Sequence, residues 1–149
     1  MPEVWAPTLA EVGQKIQTRT RDTLTPGSDV LLGTFTPNTT PNDAQAQGFI
    51  DAAVGWVVGE AGELPASPPA SDQIAVQART AAAFRAASDI EMAYPNRDAD
   101  IRTAAMLDTR AKDALASLLQ ALAIAGAGAI EPYPVWQAPD PPLWADIDL

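Results

Sequence analysis

Apolar positions recur at helical spacing along most of the chain and predict four α-helices. The first is short, over about residues 8–20, and begins with a capping box. Thr8 and Glu11 have the spacing at which a hydroxyl and a carboxylate each accept a hydrogen bond from the other residue's backbone N–H. The apolar stripe that follows consists of Leu9, Val12 and Ile16.

A second helix is predicted after a threonine–proline pair. Thr40 is a favourable N-cap, Pro41 suits the first helical position, and Asp43 places an acid in the first turn. The helix is expected to run to about Glu60 and to stop at Gly62, because glycine tolerates the backbone that ends a helix.

The third and fourth helices are separated by a proline. The third opens at Ser71 or at the prolines before it, and it must end before Pro95. The fourth opens at Asn96 or Asp98 and reaches to about Ala125, which makes it the longest.

The apolar positions of these three helices predict the faces that pack into one core. The second helix offers Phe49, Ile50, Ala53, Val54, Val57 and Val58. The third offers Ile74, Ala78, Ala81, Ala82, Phe84, Ile90 and Met92. The fourth offers Ile101, Ala104, Ala105, Leu115, Leu118, Leu119 and Leu122. The predicted fold is all-α, a small antiparallel bundle of one short and three long helices over residues 1–126.

Residues 22–40 differ in character because proline and glycine interrupt a short apolar run, Val30 to Leu32. We interpret them as a long loop with room for a short β-hairpin within it, and loops of this length are often functional. Phe35 lies among threonines and prolines, where a solvated loop would carry polar residues. We expect it to anchor the loop against the second helix or to contact a partner.

The last segment, residues 127–149, reads as an extended arm. It holds five of the 14 prolines and four acids, and it contains no lysine or arginine. It either covers the open end of its own bundle or docks onto another molecule. Two tryptophans alone bury too little area to order it, so we favour a docking arm. The predicted partner-binding residues are Tyr133, Val135, Trp136, Leu143, Trp144, Ile147 and Leu149.

The residue types argue against catalysis. Cysteine and histidine are absent, which removes thiol chemistry, the commonest general base and the commonest metal ligand. Asn96, Asp98 and Asp100 look like the start of a calcium loop, but Ile101 and Leu107 stand where the loop needs glycine and glutamate. The two aspartates are expected at an exposed helix start, without the burial that raises the pKa of a catalytic acid. We predict no enzyme, no cofactor and no metal.

The charge of the chain limits the kinds of molecule that it can bind. Nine basic residues against 19 acidic ones give a net charge of -10. The basic residues are scattered between Lys15 and Lys112, whereas a protein that grips phosphates needs a positive face. DNA is therefore expected as a neighbour and not as a ligand.

Hydropathy gives no sign of a membrane. Mean hydropathy is -0.04, and no apolar run approaches the roughly 18 residues of a spanning helix. The first residues lack the basic-then-apolar order of a signal peptide. We expect a soluble protein made in the cytoplasm.

Several stretches carry a family resemblance by their order and spacing. They are PTLAEVGQKIQTRTRD, LGTFTPNTTPNDAQAQGFIDAAVGWV, RTAAAFRAASDIEMAYPNRD and DALASLLQALA. The most recognisable residues are Gly33, Phe35, Thr40 and Pro41 in one turn, and Ile90, Glu91, Tyr94 and Pro95 at the end of the third helix. Over most of residues 8–125 the chain resembles the head-to-tail connector (adaptor) family of long-tailed bacteriophages, particularly those of actinobacterial hosts.

The resemblance implies a virion structural protein of the phage neck. A family member forms a homo-oligomeric ring, commonly a dodecamer, that docks under the portal protein and extends the DNA channel towards the stopper and the tail. Genome DNA passes through the lumen without specific binding. Family connectors commonly grip the portal with a C-terminal segment, in agreement with the separate interpretation of residues 127–149.

Two other functions fit the same residues. The first is a cytoplasmic helical protein-binding module whose proline- and aromatic-rich tail is a peptide ligand for another domain. The second is the stopper or tail terminator of the same virion, which fits less well because those proteins are expected to be rich in β-strands.

Overall fold

Helices account for most of the computed structural model, which describes residues 3–64, 72–95 and 98–128. The elements are α1 (Leu9–Lys15), a 3-10 helix (Gln17–Thr20), α2 (Asp43–Ala61), α3 (Gln73–Ala93) and α4 (Asp98–Gly128). The predicted all-α bundle is confirmed.

The capping box that starts α1 forms as predicted. The Thr8 backbone N–H donates to a Glu11 carboxylate oxygen over 2.7 Å, and the Glu11 N–H donates to the Thr8 hydroxyl over 3.2 Å. The helix is shorter than expected, because the α-helical hydrogen bonds end at Lys15 and the chain continues as a 3-10 turn. That turn directs Arg19 and Thr20 into the interior.

The start of α2 lies two residues after the predicted one. Asn42, and not Thr40, is the N-cap: its side chain accepts from the Gln45 N–H over 2.8 Å, and the Gln45 side chain accepts from the Asn42 N–H over 3.1 Å. This reciprocal pair satisfies two backbone donors, which a cap at Thr40 would leave open. The helix ends before Gly62, whose positive φ of 79° is the predicted stop.

The boundaries of α3 and α4 agree closely with the predicted ones. Asp72 caps α3 by accepting from the Ile74 N–H, one residue after the predicted start, and Tyr94 ends the helix before Pro95. Helix α4 begins at Asp98 and continues to Gly128, a few residues beyond the predicted end.

Helix α3 lies at the centre and contacts α1, α2 and α4. It is buried on most sides because its inward residues are alanines, whose small side chains allow neighbouring helices to approach closely. The Ser88 hydroxyl donates to the Ala104 carbonyl over 2.8 Å, which joins α3 to α4 where they pass. Val12 from α1 and Ile50 and Val57 from α2 complete the core around it.

Four predicted core positions are wrong. Met92 is 57 % exposed, and Ile101, Ala105 and Leu119 are also exposed. On α4 the predicted Ala104, Leu115 and Leu118 are buried, whereas Ile101 and Leu119 lie on the flank of the buried stripe, 18 residues and therefore about five whole turns apart. The stripe consists of Ala104, Leu107, Ala111, Ala114, Leu115 and Leu118.

The loop before α2 folds back on itself without forming a named strand in the described residues. Arg21 and Leu31 make an isolated antiparallel bridge, flanked by hydrogen bonds from the Asp22 N–H to the Val30 carbonyl and from the Leu32 N–H to the Thr20 carbonyl. In place of the short β-hairpin considered for this loop, the structure has one isolated β-bridge.

Within the described ranges, no helix combines the length and the apolarity that crossing a bilayer requires.

Candidate functional site

The predicted partner-binding residues fall into two groups. The arm residues Tyr133, Val135, Trp136, Leu143, Trp144, Ile147 and Leu149 lie outside the described residues, so their role stays a prediction. Phe35 is described and only 3 % exposed, as part of the chain's own core. Of the two roles expected for Phe35, the structure therefore supports the anchoring of the loop, because the side chain leaves almost no surface for a partner.

A buried ion-pair network lies at the end of the bundle where the loop meets α3 and α4. Arg19 donates through Nε to one Glu91 oxygen over 3.2 Å and through one terminal nitrogen to the other over 2.7 Å. The same terminal nitrogen donates to Asp100 over 3.0 Å. The side chains of Arg19 and Glu91 are 6 % and 4 % exposed, so the pair is shielded from water.

The network corrects the expectation that Asp100 lies at an exposed helix start. Its carboxylate holds the Arg19 guanidinium and is about one quarter exposed. Hydrogen bonding to Glu91, aided by the charges of Glu91 and Asp100, raises the pKa of Arg19 above its usual value despite the opposing effect of burial. Arg19 therefore stays charged at every ordinary pH.

A groove of about 540 Å³ opens beside this network. Side chains with hydrogen-bonding groups line most of it, among them Thr18, Arg21, Thr23 and Tyr94. The positive charge of Arg19 is already matched by two carboxylates, and Arg21 pairs with Asp29 over 3.3 Å. Among the described residues, the groove thus has no excess positive charge to attract an anion. We interpret the network as a structural contact that joins three parts of the chain.

A second polar cluster joins α2, α3 and α4 along the side of the bundle. Arg85 pairs with Asp89 over 3.1 Å and with Asp108 over 3.0 Å, and Lys112 pairs with Asp108 over 2.7 Å. The Arg85 guanidinium also lies 5.3 Å from the centre of the Trp56 ring. The charges are balanced here too, so this cluster orients the helices and offers no free charge.

Exposed apolar side chains give the clearest signs of interaction surfaces. At the loop end, Leu24 is 68 % exposed, and Val30, Leu31 and Leu32 are exposed as well. We call these four residues the loop patch. Three of them are consecutive in the chain, whereas exposed apolar residues on soluble proteins are normally scattered singly.

The opposite end of the bundle carries the last turns of α4. Because Ser88 meets Ala104 and Arg85 meets Asp108, α3 and α4 are antiparallel, and α3 begins opposite about residue 119 of α4. Helix α4 therefore extends roughly 13 Å past the start of α3. Residues 123–126 are exposed, Ile124 at 67 %. We call residues 119–128 the α4 extension.

Only some of these contacts and surfaces could be predicted from the sequence. The loop patch was visible as an apolar run among prolines and glycines, but the pairing of Arg19 with Glu91 has no local signature. The α4 extension also depends on where α3 begins, which the pattern of α4 alone does not contain.

Comparisons with models of protein families, with curated proteins and with solved structures find no match.

Proposed function

We propose that this chain is a head-to-tail connector of a long-tailed bacteriophage, which forms a ring under the portal and extends the DNA channel towards the tail. The observation that carries the proposal is the exposure of apolar side chains at both ends of one small bundle. The family resemblance stated above supplies the kind of assembly, namely a virion neck with the portal on one side and a stopper on the other.

Two different apolar surfaces on one chain favour a heterologous contact. In such a contact the surface of one copy meets a different surface of the next, and a closed ring results when the rotation between copies closes. The loop patch and the α4 extension lie at opposite ends of the bundle, so each copy can offer both to its neighbours at once. A ring would remove both from water, with a gain of about 25 cal/mol for each Å² of apolar area buried.

The charge of the chain is consistent with a DNA channel. Each copy contributes a net charge of -10, and a ring of such copies would repel DNA phosphates electrostatically. Repulsion suits a channel through which a genome must pass without being held. Acidic charge also keeps proteins soluble, and this simpler explanation holds equally for a monomer.

The second candidate function is a cytoplasmic helical binding module whose segment 127–149 serves as a peptide ligand. The prolines and aromatics of that segment favour it. It gives no role to the loop patch, however, because a peptide ligand acts through the tail and leaves the far end of the bundle unexplained.

Sedimentation velocity of the purified chain with and without purified portal protein tests the proposal. We expect the chain alone to be monomeric or heterogeneous, and to move with the portal as a large complex when the two are mixed. A chain that sediments as a monomer at micromolar concentration in the presence of portal would contradict the connector function and favour the binding module.

A further inference from the structure

Phe84 lies at an open seam of the bundle between α1 and α4. It belongs to α3 and is half-buried against the core. Lys15 from α1 places its ammonium nitrogen 4.8 Å from the centre of the Phe84 ring, and the guanidinium carbon of Arg110 from α4 lies 5.8 Å from the same centre. Two cations from two different helices thus meet over one aromatic ring.

These two cations carry unbalanced positive charge. Both side chains are exposed, and neither makes an ion pair with any residue in the part of the chain that the structure describes. Glu11, one turn before Lys15, accepts hydrogen bonds from Thr8 at the start of α1 and forms no ion pair with Lys15. The seam therefore differs from the clusters around Arg19 and Arg85, where carboxylates match the positive charge.

Apolar surface continues next to the seam. Met106 is 49 % exposed and precedes Arg110 by one helical turn, so the two side chains are neighbours on α4. A ring, a thioether and two cations together suit a ligand that combines carboxylates with aromatic or proline groups.

We propose that the seam formed by Lys15, Phe84, Met106 and Arg110 binds the segment 129–149 of a neighbouring copy of this chain. The proposal rests on the ring assembly proposed above and adds a second contact between its subunits. That segment carries acids and aromatics close together, as in PDPPLWADID, and has no lysine or arginine. Its charge complements a site where positive charge is unmatched.

The course of α4 favours a neighbour over the same chain. Gly128 lies about 27 Å along α4 from Arg110, at about 1.5 Å per residue. To reach its own seam, the segment would have to reverse direction and spend at least about eight extended residues on the return. Ordering each of those residues costs conformational entropy and gains no contact with the seam. A neighbouring copy placed beyond the end of α4 would require no such reversal.

Binding of a synthetic peptide tests the chemistry of the seam. A fluorescently labelled peptide of residues 129–149 is titrated into the full-length chain at low salt. We expect saturable binding that weakens about tenfold or more in the double variant Lys15→Glu/Arg110→Glu, since two attractive charge contacts become repulsive. Arg102→Glu reverses one charge at another exposed position of α4 and should leave the affinity within about twofold. Circular dichroism checks that all variants remain folded. Equal affinity for the wild type and the double variant would overturn the proposal.

Cross-linking between two differently labelled chains tests whether a neighbouring copy is involved. Because the chain has no cysteine, only the introduced cysteines can react. One chain carries Met106→Cys and the other Ala145→Cys, so a mixed cross-linked dimer can form only between copies. We expect this dimer in good yield, and only background when Gln47→Cys on α2 replaces Met106→Cys. Cross-linking confined to a single chain that carries both cysteines would contradict the proposal.

Neither experiment contains portal protein. Peptide binding and mixed dimers in a chain that ignores portal would leave the seam contact standing and refute the connector function. A portal-bound ring whose copies show no seam binding would support the connector function and refute the seam contact.

Discussion

Arg19 and Glu91, which are 72 positions apart in the chain, form a bidentate ion pair in the interior of the bundle. The pair fixes the turn after α1 against the end of α3, and Asp100 extends it to the start of α4. Three segments that are remote in sequence therefore meet at one guanidinium, at the base of the loop that carries the loop patch.

Removal of one partner from this network should destabilise the fold strongly. In Arg19→Met, Glu91 would keep its buried charge without a counter-charge, which typically costs about 3–5 kcal/mol. The double variant Arg19→Met/Glu91→Leu should recover most of the loss, because no buried charge is then left unpaired. Urea unfolding followed by circular dichroism measures both.

The exposed ion pair between Arg21 and Asp29 supplies a matched control. Arg21→Met should change the free energy of unfolding by less than about 1 kcal/mol, since solvent screens the pair. If Arg19→Met lowered the free energy of unfolding as little as Arg21→Met, the Arg19 network would not hold the three segments together.

Two glycines should respond in opposite directions to substitution by alanine. A Cβ at Gly13 would lie 3.0 Å from the Gly33 carbonyl oxygen and 3.0 Å from a Thr20 methyl carbon, so α1 and the loop would have to separate. Gly13→Ala is expected to cost about 1–3 kcal/mol. Gly55 faces open space on α2, and Gly55→Ala should stabilise the helix by about 0.5–1 kcal/mol. Thermal unfolding of the two variants gives the sign of each change.

Local features of the sequence predicted the helices well. The features that could not be predicted depend on contacts between residues far apart in the chain. The capping box of Thr8 and Glu11 depends on residues three apart, so it could be recognised before the fold was known. The rotation of α4 could not, because Ala104 and Ala105 fit a core equally well and only the course of α3 selects between them. The same holds for Arg19, whose partners lie on two other helices.

Phe35 should matter more for the loop than the more exposed apolar residues near it. Phe35→Ala removes a core side chain and should cost about 3–5 kcal/mol, with faster hydrogen exchange at the amides of residues 30–40 than in α2 and α3. Leu31→Ala, at an exposed position of the loop patch, should leave exchange in the loop nearly unchanged. Unchanged protection of residues 30–40 in Phe35→Ala would show that the side chain does not anchor the loop.

The segment after α4 should serve assembly and contribute little to folding. The core cluster of the described residues runs from Trp5 to Leu118, and we expect this core to form without residues 130–149. A chain that lacks residues 130–149 should keep its helicity and its cooperative unfolding, measured by circular dichroism.

The same truncation should abolish assembly on the portal. Loss of two aromatic anchors at about 2 kcal/mol each weakens the binding of the segment to its partner roughly several hundredfold. Trp136→Ala/Trp144→Ala should reproduce most of this effect, measured by sedimentation with portal protein. A truncated chain that unfolds would identify the segment as a cover for its own bundle. One that folds and still assembles fully would leave the arm without a function.

Electron microscopy of the complex purified from a mixture of this chain and portal protein tests the central claim most directly. The connector function predicts a closed ring, of twelve copies by the family resemblance, coaxial with the portal and continuing its channel. Single copies attached to the side of the portal, or portal rings with no added density, would contradict it.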